Sequence, residues 1–179
     1  MTRGCYLRGP TRLSLIIAGE NVLKDTVRIA GPMETTDSFD VPYTLGREGP
    51  YHIRGRTRFG TPELLRLRDY NGDGQPLEVA FFDAESSSDL LTMVVGYDPL
   101  AERLQQYKFH VTVSERGATT RTYDTDWLER LFWFRAQPHR PPRWKFEADY
   151  PGGPHESYDV SYDARERRFN VRVVQRPHS

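Results

Sequence analysis

The sequence predicts an all-β domain, an antiparallel β-sandwich or jelly-roll-like pair of sheets built from about ten short strands. Three observations predict it. Apolar and polar residues alternate with period two along most of the chain. Aromatics make up 12% of residues against only 37% hydrophobic overall, so Tyr and Phe, both strand formers, supply the bulk that aliphatics lack. Gly, Pro, Asn and Asp punctuate most of the gaps between alternating segments.

Taken in order, Leu13, Leu15 and Ile17 alternate with Arg12, Ser14 and Ile16, and 22–29 continues as a second strand candidate. Tyr51, Ile53, Gly55, Thr57 and Phe59 alternate with His52, Arg54, Arg56 and Arg58. Segments 64–68, 78–83 and 91–97 are short, apolar-rich candidates. Tyr107, Phe109, Val111 and Val113 alternate with Lys108, His110 and Thr112, and Trp144, Phe146, Ala148 and Tyr150 with Lys145, Glu147 and Asp149. Tyr158, Val160 and Tyr162, then Phe169, Val171 and Val173, flank the charged turn 163–168 and form the clearest hairpin. One helix is expected near 126–134, capped by Thr125 or Asp126, with Trp127, Leu131 and Phe134 on one face. The proline-rich 137–143 that follows reads as an extended polyproline-like crossover within a single domain spanning 1–179.

Charge and cysteine content narrow the functions. Lys plus Arg equals Asp plus Glu at 25 each, so the net charge is zero. That argues against nonspecific nucleic-acid binding and favours a protein partner or self-association, with carbohydrate as a further ligand class. Cys5 stands alone, so no internal disulfide can form, and it reads as a small apolar residue. The apolar stretch 13–18 is too short for a signal core or a membrane span. The chain is therefore cytoplasmic, or an export segment belongs with it.

The most specific motif is Asp69-Tyr70-Asn71-Gly72-Asp73-Gly74, with oxygen-bearing side chains at alternate positions and a glycine at the bend. It resembles the calcium loops of EF-hand, dockerin and integrin-type FG-GAP repeats over about six residues. The resemblance implies side-chain ligands from Asp69, Asn71 and Asp73 and a backbone carbonyl from Gln75. Position twelve of an EF-hand would be Ala80 and position nine of an FG-GAP loop Leu77, so the closing acid is out of place; Glu78 falls one residue late and is the fifth candidate metal ligand. Asp83, Glu85 or Asp89 could complete the shell only by folding back. Strand-like flanks exclude an EF-hand pair. The alternative is a metal-free hairpin turn, because Asn-Gly and Asp-Gly are preferred turn dipeptides. With few charged ligands, calcium affinity would fall around 10⁻⁴–10⁻³ M, which favours an exported, extracytoplasmic protein.

Other constellations are weaker. Arg54, Arg56 and Arg58 share a strand face that could meet phosphates, sulfated sugars or carboxylates, or simply be a solvated face paired with acids. Trp127, Phe132, Trp133, Phe134 and Trp144 could form a sugar-stacking platform, but a chain poor in aliphatics needs its aromatics inside. The scattered histidines have no zinc spacing, and no nucleophile elbow, Walker loop or dinucleotide fingerprint is present. The expected function is a non-catalytic, calcium-stabilised β-sandwich module that binds a partner or polymer at the bacterial cell envelope. The alternatives are a small hydrolase or lyase on a β scaffold using Asp or Glu, for which 83–89 offers carboxylates and hydroxyls that a plain turn would also contain, and a structural subunit of a larger assembly.

Overall fold

Period-two alternation is realised as two facing sheets in the computed structural model, which describes residues 5–8, 12–17, 19, 21–29, 38–41, 65–84, 90–99, 101–129, 138–140, 143–148 and 153–177. Its strands are β1 (Cys5–Arg8), β2 (Arg12–Ile17), β3 (Val22–Arg28), β4 (Ser38–Val41), β5 (Leu65–Arg68), β6 (Glu78–Ala84), β7 (Leu90–Asp98) and β8 (Arg103–Gln106). They continue with β9 (Lys108–Glu115), β10 (Ala118–Thr125), β11 (Leu128–Glu129), β12 (Pro138–Arg140), β13 (Arg143–Ala148), β14 (His155–Asp163) and β15 (Arg168–Arg176). No helix occurs among the described residues.

One sheet has six strands in the order β10-β9-β15-β14-β13-β12, and the other runs β11-β7-β6-β5 with β8 also on β7. The β14–β15 hairpin forms as expected, with Asp163 opposite Arg168 and the Asp163 carboxylate accepting the Arg165 and Glu166 N–H groups in the turn. Among the described residues every pairing is antiparallel except one. β15 runs parallel to β9, Phe169 beside Phe109, which the alternation pattern cannot distinguish from antiparallel pairing.

Inward positions of the two sheets make the core. Trp144, Phe109, Phe169, Val160 and Val171 from the larger sheet meet Ala80, Val94 and Leu128 from the smaller, together with Tyr70. Aromatics do supply the bulk: Phe169 lies 5.5 Å from Phe109, 5.6 Å from Tyr107 and 6.0 Å from Trp144 between ring centroids. Each fully buried ring of this kind contributes roughly 1.5–3 kcal/mol. β7 is buried on both faces over residues 91–96. Val94 enters the sandwich core, whereas Met93 and Val95 pack with Ile29 under Leu13, Val27 and Trp127. The β2–β3 hairpin thus contributes a third layer.

Two local expectations are corrected. The segment expected to open a helix at 126–134 instead bends at Asp126 and Trp127, and Leu128–Glu129 pairs with Thr92 and Leu91 of β7. Burial of Leu128 against the sheet outweighs the cap signal; residues 130–134 lie outside the described set. Within the proline-rich crossover, Pro138–Arg140 is a short strand at the sheet edge, where a residue without an N–H costs no ladder bond. β10 was not expected at all. It is exposed along almost its whole length, so it carries no apolar alternation, only the β-branched threonines.

Candidate functional site

The calcium-like motif sits where β5 ends and β6 begins, Arg68 pairing with Glu78 across the base of a nine-residue connection, 69–77. Its side chains fold the loop onto itself. The Asp69 carboxylate accepts the Gly72 N–H at 2.6 Å and the Gly74 N–H at 2.9 Å. Asn71 Oδ1 accepts the Asp73 N–H at 2.8 Å, and Asp73 Oδ1 accepts the Gln75 N–H at 2.8 Å. Gly74 takes φ +88° with open space around it, so the backbone conformation is what calls for glycine there.

Glu78 closes the loop from below. It is fully buried, and Oε2 accepts the Tyr70 N–H at 2.9 Å while Oε1 accepts Asn71 Nδ2 at 3.0 Å. Asn71 also donates Nδ2 to Asp73 Oδ2 at 3.1 Å, so Glu78, Asn71 and Asp73 form one chain of hydrogen bonds. Tyr107 lies alongside, and burial pushes its hydroxyl pKa up while the neighbouring Gln105 and Asn71 side chains oppose that rise. Burial pushes the Glu78 carboxyl up to about 7; the Tyr70 and Asn71 N–H groups pull against that rise, and the neighbouring Asp73 and Asp69 charges add to it.

The structure therefore gathers Asp69, Asn71 and Asp73 in one loop and turns Glu78 inward as the brace of that loop. Gln75 offers its carbonyl, which already accepts the Leu77 N–H at 2.9 Å. Each carboxylate oxygen that takes an N–H keeps further acceptor capacity. The residue types are those of the front half of a calcium loop. Among the described residues no three His, Cys, Asp or Glu side chains gather to hold a metal, so a cation here would rest on two carboxylates, an amide and main chain. The role of Glu78 had one signal in the sequence, its position one residue past the expected ligand; nothing local marked Gly96 or Tyr107 as its neighbours.

Two further surfaces stand out. At the tip of the β2–β3 hairpin Ile16 pairs with Leu23 and Ile17 with Val22, and these aliphatics are 58%, 60%, 38% and 50% exposed. Near β10 and β11 a cavity of about 380 Å³ is walled by Val111, Val113, Val173 and Leu128, and Glu156 lines it. Both Glu156 oxygens are engaged, by the Tyr158 hydroxyl at 2.5 Å and Gln175 Nε2 at 2.9 Å. Asp124 lines the same cavity but is held by His110 at 2.6 Å. Arg54, Arg56 and Arg58, the aromatic run at Phe132, Trp133 and Phe134, and Glu85 to Asp89 lie outside the described residues. Asp83 is described only as a strand position of β6, opposite Leu91. Of the remaining tryptophans, Trp144 is core and Trp127 is half-buried against the β7 layer.

Compared with family models, with curated proteins and with solved structures, the chain matches none. No helix among the described residues is long and apolar enough to cross a membrane.

Proposed function

We propose that the protein is a non-catalytic β-sandwich module that works by association, with calcium stabilising residues 69–75. The observation that carries the reading is the hairpin tip, where two cross-strand aliphatic pairs are exposed to solvent, Ile16 with Leu23 on one face of the ribbon and Ile17 with Val22 on the other. Exposed apolar clusters of this kind mark interaction sites. The partner we assign to the tip is a second copy of this chain, because a net charge of zero gives copies no long-range repulsion. An ion held by Asp69, Asn71, Asp73 and the Gln75 carbonyl would bind in the millimolar range, which suits an extracytoplasmic setting such as the bacterial cell envelope.

Sedimentation velocity over a concentration series tests the association. The wild type is expected to form dimers or larger species, and Ile16→Asp with Leu23→Asp to sediment as a monomer with an unchanged melt. A monomeric wild type at all concentrations would overturn the tip as a self-association site. Thermal melts test the metal. Calcium should raise the melting temperature in proportion to the logarithm of its concentration over its dissociation constant, magnesium much less, and Asp73→Ala should remove the effect. An unchanged melt at millimolar calcium would leave the loop a metal-free turn.

A further inference from the structure

The outward face of the six-stranded sheet carries a pattern that neither the hairpin nor the loop uses. Register aligns its outward side chains in rows. One row runs Thr122, Thr112, Arg172, Asp159, Lys145 across β10, β9, β15, β14 and β13. The next runs Asp124, His110, Asn170, Ser161, Arg143. Between β9 and β13 these two rows hold three cations, Arg143, Lys145 and Arg172, against one carboxylate, Asp159; Glu147 adds a second carboxylate beside Lys145, so the cations remain in excess by one. Asp159 is already taken: Arg143 donates to it through Nε at 2.6 Å and through Nη2, and Lys145 Nζ lies at 3.7 Å. Arg172 sits directly between Thr112 and Asp159, exposed, and no ion pair to it is found among the described residues.

The surface over these rows is hollowed. A hollow of about 470 Å³ is lined by His110, Arg143, Asn170 and Ser161, and one of about 580 Å³ by Lys145, Glu147 and Ser157; Asp159 and Arg172 line both, so the two adjoin. Together they cross four strands, roughly 14 Å at ordinary strand spacing. That is the length of a short polymer segment and more than a single ion needs.

We propose that this groove binds an acidic polysaccharide, with sulfate or carboxylate groups on Arg172 and Lys145 and sugar hydroxyls on Thr112, Ser161 and Asn170. Charge complementarity carries the choice of an anion. Trp144 and Phe169 point into the core, and Phe146 and Tyr158, which also line the second hollow, are 9% and 7% exposed, too little to present a ring face for a base to stack on, so nucleic acid is disfavoured. The groove lies mid-sheet, where every strand is already paired on both sides or covered by its neighbour, so a peptide cannot add as a strand. The inference is independent of calcium and of self-association.

Titration of the full chain with heparin and with polygalacturonate tests it, alongside dextran, poly-glutamate and single-stranded DNA. Binding to one or both acidic polysaccharides is expected, weakening roughly tenfold between 50 and 200 mM salt as two to three contacts would require. The two probes separate sulfate from carboxylate recognition. Arg172→Ala with Lys145→Ala should lower affinity at least tenfold with an unchanged melting temperature. Failure to bind either polysaccharide, equal binding of dextran, or undiminished binding by the double variant would overturn the groove as an anion site. Tighter binding of poly-glutamate or of DNA would overturn the polysaccharide.

Discussion

In chelator, raising the pH from about 4.5 to about 8 is expected to lower the unfolding free energy by roughly 3 kcal/mol, and Glu78→Gln to flatten that dependence. The sign follows from the buried carboxyl. Unfolded, it titrates near 4.5; folded, near 7. Below 4.5 both states are protonated and the burial carries no ionisation cost. Between the two values the unfolded chain releases its proton while the folded chain keeps it, so each increment of pH favours unfolding. Above 7 both are ionised and the cost is complete. Asp159, Asp124 and Asp163 act in a separate window. Arg143, His110 and the Glu166 N–H respectively hold them below the ordinary 3.8, so their contribution is present above that value and lost in stronger acid. Urea unfolding at a series of pH values measures the profile. A wild-type stability that is constant from pH 5 to pH 7.5 would refute the assignment of Glu78. Calcium on Asp69 and Asp73 should shift the profile upward at neutral pH by offsetting the negative charge around Glu78.

Gly96→Ala is expected to destabilise the fold by about 3 kcal/mol, at the upper end of overpacking costs, although it adds a single methyl. Gly96 is opposite Glu78 in the β6–β7 register. A Cβ there would lie 2.7 Å from Tyr107 Cε2, 2.8 Å from the Tyr107 hydroxyl and 2.8 Å from Glu78 Cγ. Neither neighbour can retreat. Tyr107 packs edge-on against Tyr162 at 5.5 Å and Phe169 at 5.6 Å, and Glu78 is tied to Tyr70 and Asn71. Gly74→Ala is the informative comparison. It meets open space and strains only a left-handed backbone, costing about 1–2 kcal/mol. Denaturant melts of the two variants separate the causes: equal losses would mean that the Glu78–Tyr107 contact yields. Gly96→Ala should also weaken any calcium effect at the loop, since it displaces the brace.

The all-β class, the final hairpin and the strands β9, β13, β14 and β15 were legible in the sequence because alternation reports directly which positions face a core. The loop at 69–74 was legible because much of its turn chemistry is local: Asp69, Asn71 and Asp73 accept backbone N–H groups two to five residues on. Other features were not local. β10 is exposed and so lacks any apolar period, and the strand at Leu128–Glu129 exists because β7 is there to pair with it. The parallel β9–β15 contact joins residues sixty positions apart, such as Phe109 and Phe169, which side-chain alternation leaves unspecified. The buried state of Glu78 depends on Gly96, eighteen positions later, leaving room across a strand pair, and on Tyr107 closing over it. The row of Arg172, Asp159 and Lys145 draws one residue from each of three strands. Sequence by itself determined the inward alternation of β9, β13, β14 and β15 and the side-chain-to-backbone turns within 69–74, since both follow from neighbours along the chain. Only tertiary structure decided which strands lie side by side, and with that which charges meet and which acid is buried, because those energies arise between residues that the chain keeps far apart.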